Sequence, residues 1–161
     1  MTVREIRQWG DPVLRTPCDP VEAFDDTVAA LGADLVETVT AVEGRAGLAA
    51  NQIGVSLRAF SWFVDDRVGV VVNPTLVSVE GEQDDDEGCL SLPGLWYPLR
   101  RGQRATVSGY DVDGREITVS GTGLLARCLQ HEVDHLDGAL FVDRLPGRAR
   151  RRAYRDADAL R

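Results

Sequence analysis

A chain of 161 residues with 43% hydrophobic and 27% charged positions is long enough to close one core without covalent staples, and its composition excludes a disordered or a fibrous chain. Its 26 acidic and 18 basic residues leave a formal net charge of -8, which speaks against a general nucleic-acid binder. Every basic residue is arginine, so mechanisms that need a Schiff-base or P-loop lysine are excluded.

Along the chain, Val28, Leu31, Leu35, Val39 and Val42 recur at spacings of three and four, which predicts a helix from Asp25 to about Glu43. Asp25 or Asp26 would cap it and Gly44 would end it. A small-residue turn, 44–54, follows. Leu57 to Val64 and Gly69 to Val79 read as strands, the second broken at Asn73-Pro74. An acidic stretch from Glu82 to Glu87 reads as a loop, with Asp84, Asp85 and Asp86 solvated. Arg104 to Val112, Asp113-Gly114 and Arg115 to Ser120 predict a hairpin. A helix from about Thr122 to Asp137 should close on Gly138, and Arg148 to Leu160 should form a short last helix. Strands followed by a helix that carries polar chemistry suggest an α+β fold. No repeat, low-complexity stretch or linker interrupts residues 1–161, so a single domain is expected. No apolar run approaches the ~18 residues of a membrane span. Met1-Thr2-Val3-Arg4-Glu5 lacks the pattern of a secretory leader, so the expected location is the cytoplasm. Three cysteines, an odd number, speak against a disulfide framework.

The strongest chemical signal is His131-Glu132-Val133-Asp134-His135. Two histidines four apart on a helix point the same way, about 6 Å apart along the axis, and can grip one metal ion. On a helical wheel both histidines and Glu132 fall beside the apolar face built by Leu125, Leu129, Val133 and Leu136. Arg127, Gln130, Asp134 and Asp137 occupy the remaining arc, which is expected to face water.

A catalytic site of this kind takes three protein ligands and keeps one position open. Downstream, the position where zinc proteases carry a third histidine is Phe141, and no glutamate follows Glu132. Asp143, Asp156 and Asp158 lie in no recognisable context. Cys128 shares the histidines' side of the helix but lies about 10.5 Å from His135 along the axis, too far to share an ion. It reads as a buried wall residue beside the metal. Of Cys18 and Cys89, the second follows Gly88 in a segment whose backbone can approach a ligand closely, and is the chosen third ligand.

Three segments in order, Gly47-Leu48-Ala49-Ala50-Asn51-Gln52, Glu87-Gly88-Cys89-Leu90-Ser91 and Gln130-His131-Glu132-Val133-Asp134-His135, resemble the signature motifs of the peptide deformylases. The resemblance implies antiparallel strands packed around a central metal-binding helix, and hydrolytic removal of formyl from the N-terminal methionine of new proteins. It implies that Cys89, His131 and His135 bind the metal, Fe²⁺ first, with Zn²⁺, Ni²⁺ or Co²⁺ as substitutes. Glu132 would be the general acid and base, and Gln52 with the backbone N–H of Leu90 would hold the developing oxyanion. The backbone near Ala46, Gly47 and Gly88 would pair with the peptide, beside Cys128. Glu87 would brace the cysteine segment through Arg101. The arginines of the last helix, Arg148, Arg150, Arg151, Arg152 and Arg155, read first as an exposed helix face, with transient ribosome contact as the functional alternative; no membrane and no specific nucleic acid is implied. Two departures from the family pattern, Arg45 and Trp96, keep open an alternative, a related enzyme acting on another formylated or acylated small amide. A closed, purely structural metal site would need a fourth ligand and no general base, so Glu132 argues against one.

Overall fold

In the computed structural model, which describes residues 2–161, the Asp25 carboxylate accepts hydrogen bonds from the backbone N–H groups of Thr27 and Val28 and starts helix α1 (Asp26–Thr40). Val28, Leu31, Leu35 and Val39 are buried as the periodicity predicts. The helix stops at Thr40, short of Gly44, and Val42 remains exposed.

Seven strands follow: β1 (Gly47–Ala49), β2 (Ala59–Val64), β3 (Arg67–Glu80), β4 (Gln83–Cys89), β5 (Leu92–Arg101), β6 (Arg104–Tyr110) and β7 (Glu116–Thr122). Five make one antiparallel sheet in the order β1-β2-β3-β6-β7. The break expected at Asn73-Pro74 is a register shift inside a single strand: Asn73 has φ 50° and pairing resumes at Thr75. Its side chain exchanges hydrogen bonds with the backbone of Val21, which holds the bend against the chain preceding α1.

The acidic stretch is not a loop. It is β4, paired antiparallel with β5 in a separate two-stranded sheet. Asp84, Asp85 and Asp86 do face solvent, as expected, with Arg100 paired opposite Asp84. Glu87 alone turns inward. A run of carboxylates carries no apolar alternation, so nothing local marks the strand; its partner supplies the reason it forms.

Helix α2 (Gly123–Leu136) lies between the two sheets, and Leu125, Leu129, Val133 and Leu136 pack against Phe60, Val71 and Val107. Gly138, at φ 79°, ends it where the backbone of Arg15 comes so close that a Cβ would lie 2.8 Å from its carbonyl oxygen. The polar arc of α2 does not face water. Arg127, Gln130 and Asp134 are all buried, and only Asp137 is exposed. The small sheet and the 3-10 turn Phe141–Arg144 cover that arc and bring matching groups to it. Gln130, for instance, exchanges hydrogen bonds with the backbone of Gly102. Helix α3 (Gly147–Asp158) ends the fold, with Ala153 and Ala157 inward and Arg148, Arg150, Arg151, Arg152 and Arg155 exposed.

Candidate metal centre

One turn of α2 separates His131 from His135, and their Nε2 atoms converge to 3.1 Å. The Cys89 Sγ, from the end of β4, lies 3.3 Å from His135 Nε2, and the three donor atoms fall within 4.8 Å of one another. Bonds of about 2.0–2.3 Å to one shared ion place tetrahedral ligand atoms roughly 3.3–3.6 Å apart, so the donors fit a single divalent cation. No other such cluster occurs among the described residues, and Asp143 instead binds Arg15, Tyr154 and the N–H of Leu140. The sulfur also accepts from the backbone N–H of Ser91 at 3.4 Å and from Gln52 Nε2 at 3.7 Å.

His131 is oriented from behind. Its Nδ1 lies 2.7 Å from Glu87 Oε2, and Glu87 is gripped by the fork of Arg101 at 2.7 and 2.9 Å and by Arg127 at 2.9 Å. Burial alone would raise the Glu87 carboxyl, but the bonds from Arg101 and His131 hold it well below the usual carboxylate range. The pairing of Glu87 with Arg101 was legible in the sequence, but as a brace for the cysteine segment rather than for His131; the part of Arg127 was not. His135 has no such support, its Nδ1 being buried with no hydrogen-bond partner among the described residues. Its backbone carbonyl accepts from Asn51 Nδ2 at 2.7 Å, which ties the Ala50–Ile53 turn to α2. No sequence signal marked Asn51 beyond its place beside Gln52.

Glu132 is 2% exposed, and its Oε1 has no partner among the described residues. Burial pushes its carboxyl up to about 7, against the pull of neighbouring His131. Oε2 faces β1: a Cβ on Gly47 would sit 2.6 Å from it and 2.7 Å from Cys128 Sγ. Only glycine lets that backbone pass so close. The Cys128 thiol donates to the carbonyl of Ala46 at 3.2 Å, and burial, with Glu132 nearby, raises it well above the usual thiol range. It stands on the wall as a neutral group.

These groups form the floor of a cleft of about 860 Å³ lined by Ala46, Gly47, Gln52, Gly88, Leu90 and Cys128. Gln52 is held rigidly. Its Oε1 accepts from the N–H of Ala49 at 2.9 Å, and its Nε2 donates to Ser91 Oγ at 3.1 Å. β1 borders the cleft with one edge paired to β2 and the other unpaired by any strand. At the rim, Arg45 folds away, its Nη1 donating to the carbonyl of Thr38 at 2.6 Å. Trp96 is 64% exposed and lies over Gly88, its partner across the small sheet.

Comparison with known proteins points one way. The sequence profile of the family described as Polypeptide deformylase matches residues 3–151. The peptide deformylase of Acidothermus cellulolyticus is 55% identical, covering 98% of this chain and 89% of the relative. Among solved structures, a peptide deformylase from Legionella pneumophila superimposes with a TM-score of 0.90 at 41% identity, over 99% of this chain and 95% of that one. The Ehrlichia chaffeensis enzyme in complex with actinonin gives 0.91 at 34% identity, over 99% and 98%.

Proposed function

This chain belongs to the polypeptide deformylase family and is a hydrolase that removes the N-formyl group from the N-terminal methionine of newly made proteins, and on that premise we propose which of its residues do the work. We read residues 1–161 as one catalytic domain, with α2 at its centre. Family and fold favour deformylation over hydrolysis of another amide.

In this reading Cys89, His131 and His135 hold one divalent ion, with Fe²⁺ the natural occupant and Zn²⁺, Ni²⁺ or Co²⁺ as substitutes. One thiolate with two imidazoles suits these metals. When bound, the ion supplies Lewis acidity, which acidifies water and polarises a carbonyl. Glu132 takes the proton of the water whose oxygen adds to the formyl carbon. It then delivers that proton to the methionine nitrogen as the C–N bond breaks, leaving formate and a free amine. Gln52 Nε2, turning its second hydrogen from the long 3.7 Å contact with Cys89 Sγ, and the backbone N–H of Leu90 donate to the oxygen as it becomes negative, each contributing about 3–4 kcal/mol. The peptide lies in the cleft as an added strand, on the open edge of β1 at Gly47 and the preceding Ala46 and on the backbone of Gly88, with Cys128 as part of its wall.

The observation that carries this reading is the convergence of three candidate metal donors beside a buried carboxylate oxygen with no partner among the described residues. Anaerobically purified, Fe²⁺-loaded protein is expected to release formate from formyl-Met peptides, to lose that activity with a chelator, and to regain it with Fe²⁺. Absence of formate from several such peptides with fully loaded protein sinks the proposal. The exposed arginines of α3 and the newly made substrate support transient contact with ribosomal RNA in the cytoplasm. Salt-sensitive co-sedimentation with ribosomes, lost when those arginines become glutamine, is the expected result; unchanged sedimentation refutes it.

A further inference from the structure

The groups behind His131 do not end at Glu87. Arg101, whose fork holds Glu87, also donates through Nη1 to Asp134 Oδ2 at 2.9 Å. Asp134 in turn receives a two-pronged contact from Arg144, Nε to Oδ2 at 2.7 Å and Nη2 to Oδ1 at 2.8 Å. The result is an alternating series, His131, Glu87, Arg101, Asp134, Arg144, in which each neighbour is charged or charge-polarised. The side chains of Glu87 and Arg101 are 3% exposed and that of Asp134 is 9%, whereas Arg144 is 55% exposed. The series therefore starts at a metal ligand and comes out at the surface on the 3-10 turn that follows α2.

We propose that Arg144 is a positioning residue for the metal centre, acting on His131 through Asp134, Arg101 and Glu87; the inference rests on the ligand assignment above. The argument is one of shared donors. Arg101 serves two carboxylates at once. Arg144 satisfies both oxygens of Asp134, so Asp134 makes only a modest claim on Arg101, whose Nε and Nη2 stay on Glu87. Without Arg144, Asp134 Oδ1 loses its partner and Oδ2 depends on Arg101 alone. The balance of Arg101 then moves toward Asp134 and away from Glu87, the group that fixes the plane of the His131 ring. His135 Nδ1 has no hydrogen-bond partner among the described residues, so of the two imidazoles it is His131 that a side chain holds from behind. The turn that carries Arg144 has an independent anchor: Asp143 on the same turn binds Arg15, Tyr154 and the N–H of Leu140, and among the described residues these make no side-chain hydrogen bond to the series. Anchoring of the turn and orientation of His131 are thus separable by mutation.

The test uses the full-length protein and Co²⁺ as the probe, with a competing chelator for affinity and visible absorption for the ligand field. Wild type is expected to show a thiolate-to-Co²⁺ band. Arg144→Ala is expected to weaken Co²⁺ binding about three- to tenfold and to alter the visible spectrum, less than the ~10–100-fold typical of a group touching the ligand itself. Arg144→Lys, which restores charge without the two-pronged geometry, is expected to recover part of the loss, and Asp143→Asn to bind as wild type does. Wild-type affinity and spectrum in Arg144→Ala overturn the proposal, as does an equal loss in Asp143→Asn, which would make the turn's anchoring the cause. A wild-type protein with no thiolate band removes the ligand assignment itself, a different failure from an unresponsive Arg144.

Discussion

Replacing Glu132 with glutamine is expected to lower kcat for formate release about 10²- to 10⁴-fold while leaving the metal content of the protein unchanged. Glutamine keeps the volume and one acceptor oxygen but cannot carry the proton from water to the departing amine. The ligand set proposed above, Cys89, His131 and His135, does not include residue 132, so binding of the ion should survive the change. Stability sharpens the expectation. The Glu132 carboxyl is buried with one oxygen unpartnered among the described residues, a costly arrangement for a group that must ionise. Glu132→Gln should therefore unfold in urea no earlier than wild type, the behaviour of a residue kept for chemistry rather than for the fold. Formate release, metal per chain and the urea midpoint, measured on one preparation, decide it. Substantial retained turnover with full metal would remove Glu132 from the reaction. Loss of metal would make it a ligand-supporting residue instead.

What a single sequence reveals of this protein follows from the range of the interactions involved. Helix α1 was legible because its cap and its buried face lie within one stretch of chain: Asp25 binds the N–H of Thr27 and Val28, and Val28 to Val39 repeat at helical spacing. The β6–β7 hairpin was legible for the same reason, its turn being Asp113-Gly114 with Gly114 at φ 84°. The histidine pair was legible because four residues of helix put both imidazoles on one side. Strand β4 was not, because its sequence looks like a solvated loop until Arg100 and the rest of β5 lie against it. The same gap hid the environment of α2. Arg127 and Asp134 are polar at positions that a wheel assigns to solvent, and only the folded chain brings Glu87, 40 residues from Arg127, and Arg101, 33 residues from Asp134, to meet them. A wheel measures polarity, and a charge sequestered with its opposite reads the same as a charge in water. The residues that converge at the floor of the cleft were thus visible from the sequence, and most of the charged shell around them was not.

That shell is where the second large effect is expected. Glu87→Ala should destabilise the metal-free protein by about 3–5 kcal/mol, the usual consequence of removing one partner from a buried ionic cluster. It should also weaken metal binding about 10–100-fold, as loss of the group behind a ligating histidine typically does. Both follow from the geometry. Among the described residues Arg127 already has one buried guanidinium nitrogen, Nη2, without a partner, and loss of Glu87 leaves it there with a 3.4 Å contact from Nε to Gln83. Arg101 keeps Asp134 but loses the two bonds of its fork, and His131 Nδ1 loses its acceptor. Glu87→Gln separates charge from shape: one acceptor oxygen remains for His131 or for an arginine, but not for all three groups at once. Its urea midpoint and metal affinity should fall between those of Glu87→Ala and wild type. Urea unfolding of the apo form and chelator competition with the metal give the two numbers independently. Wild-type values for both in Glu87→Ala would mean that the arginines find other partners when the carboxylate is gone, and that His131 is aimed by the rigidity of α2 alone. Loss of metal affinity without loss of stability would mean that burying two guanidinium groups against one carboxylate contributes nothing net to folding, as continuum accounts of interior ion pairs allow, and that its use in this protein is to set the imidazole plane.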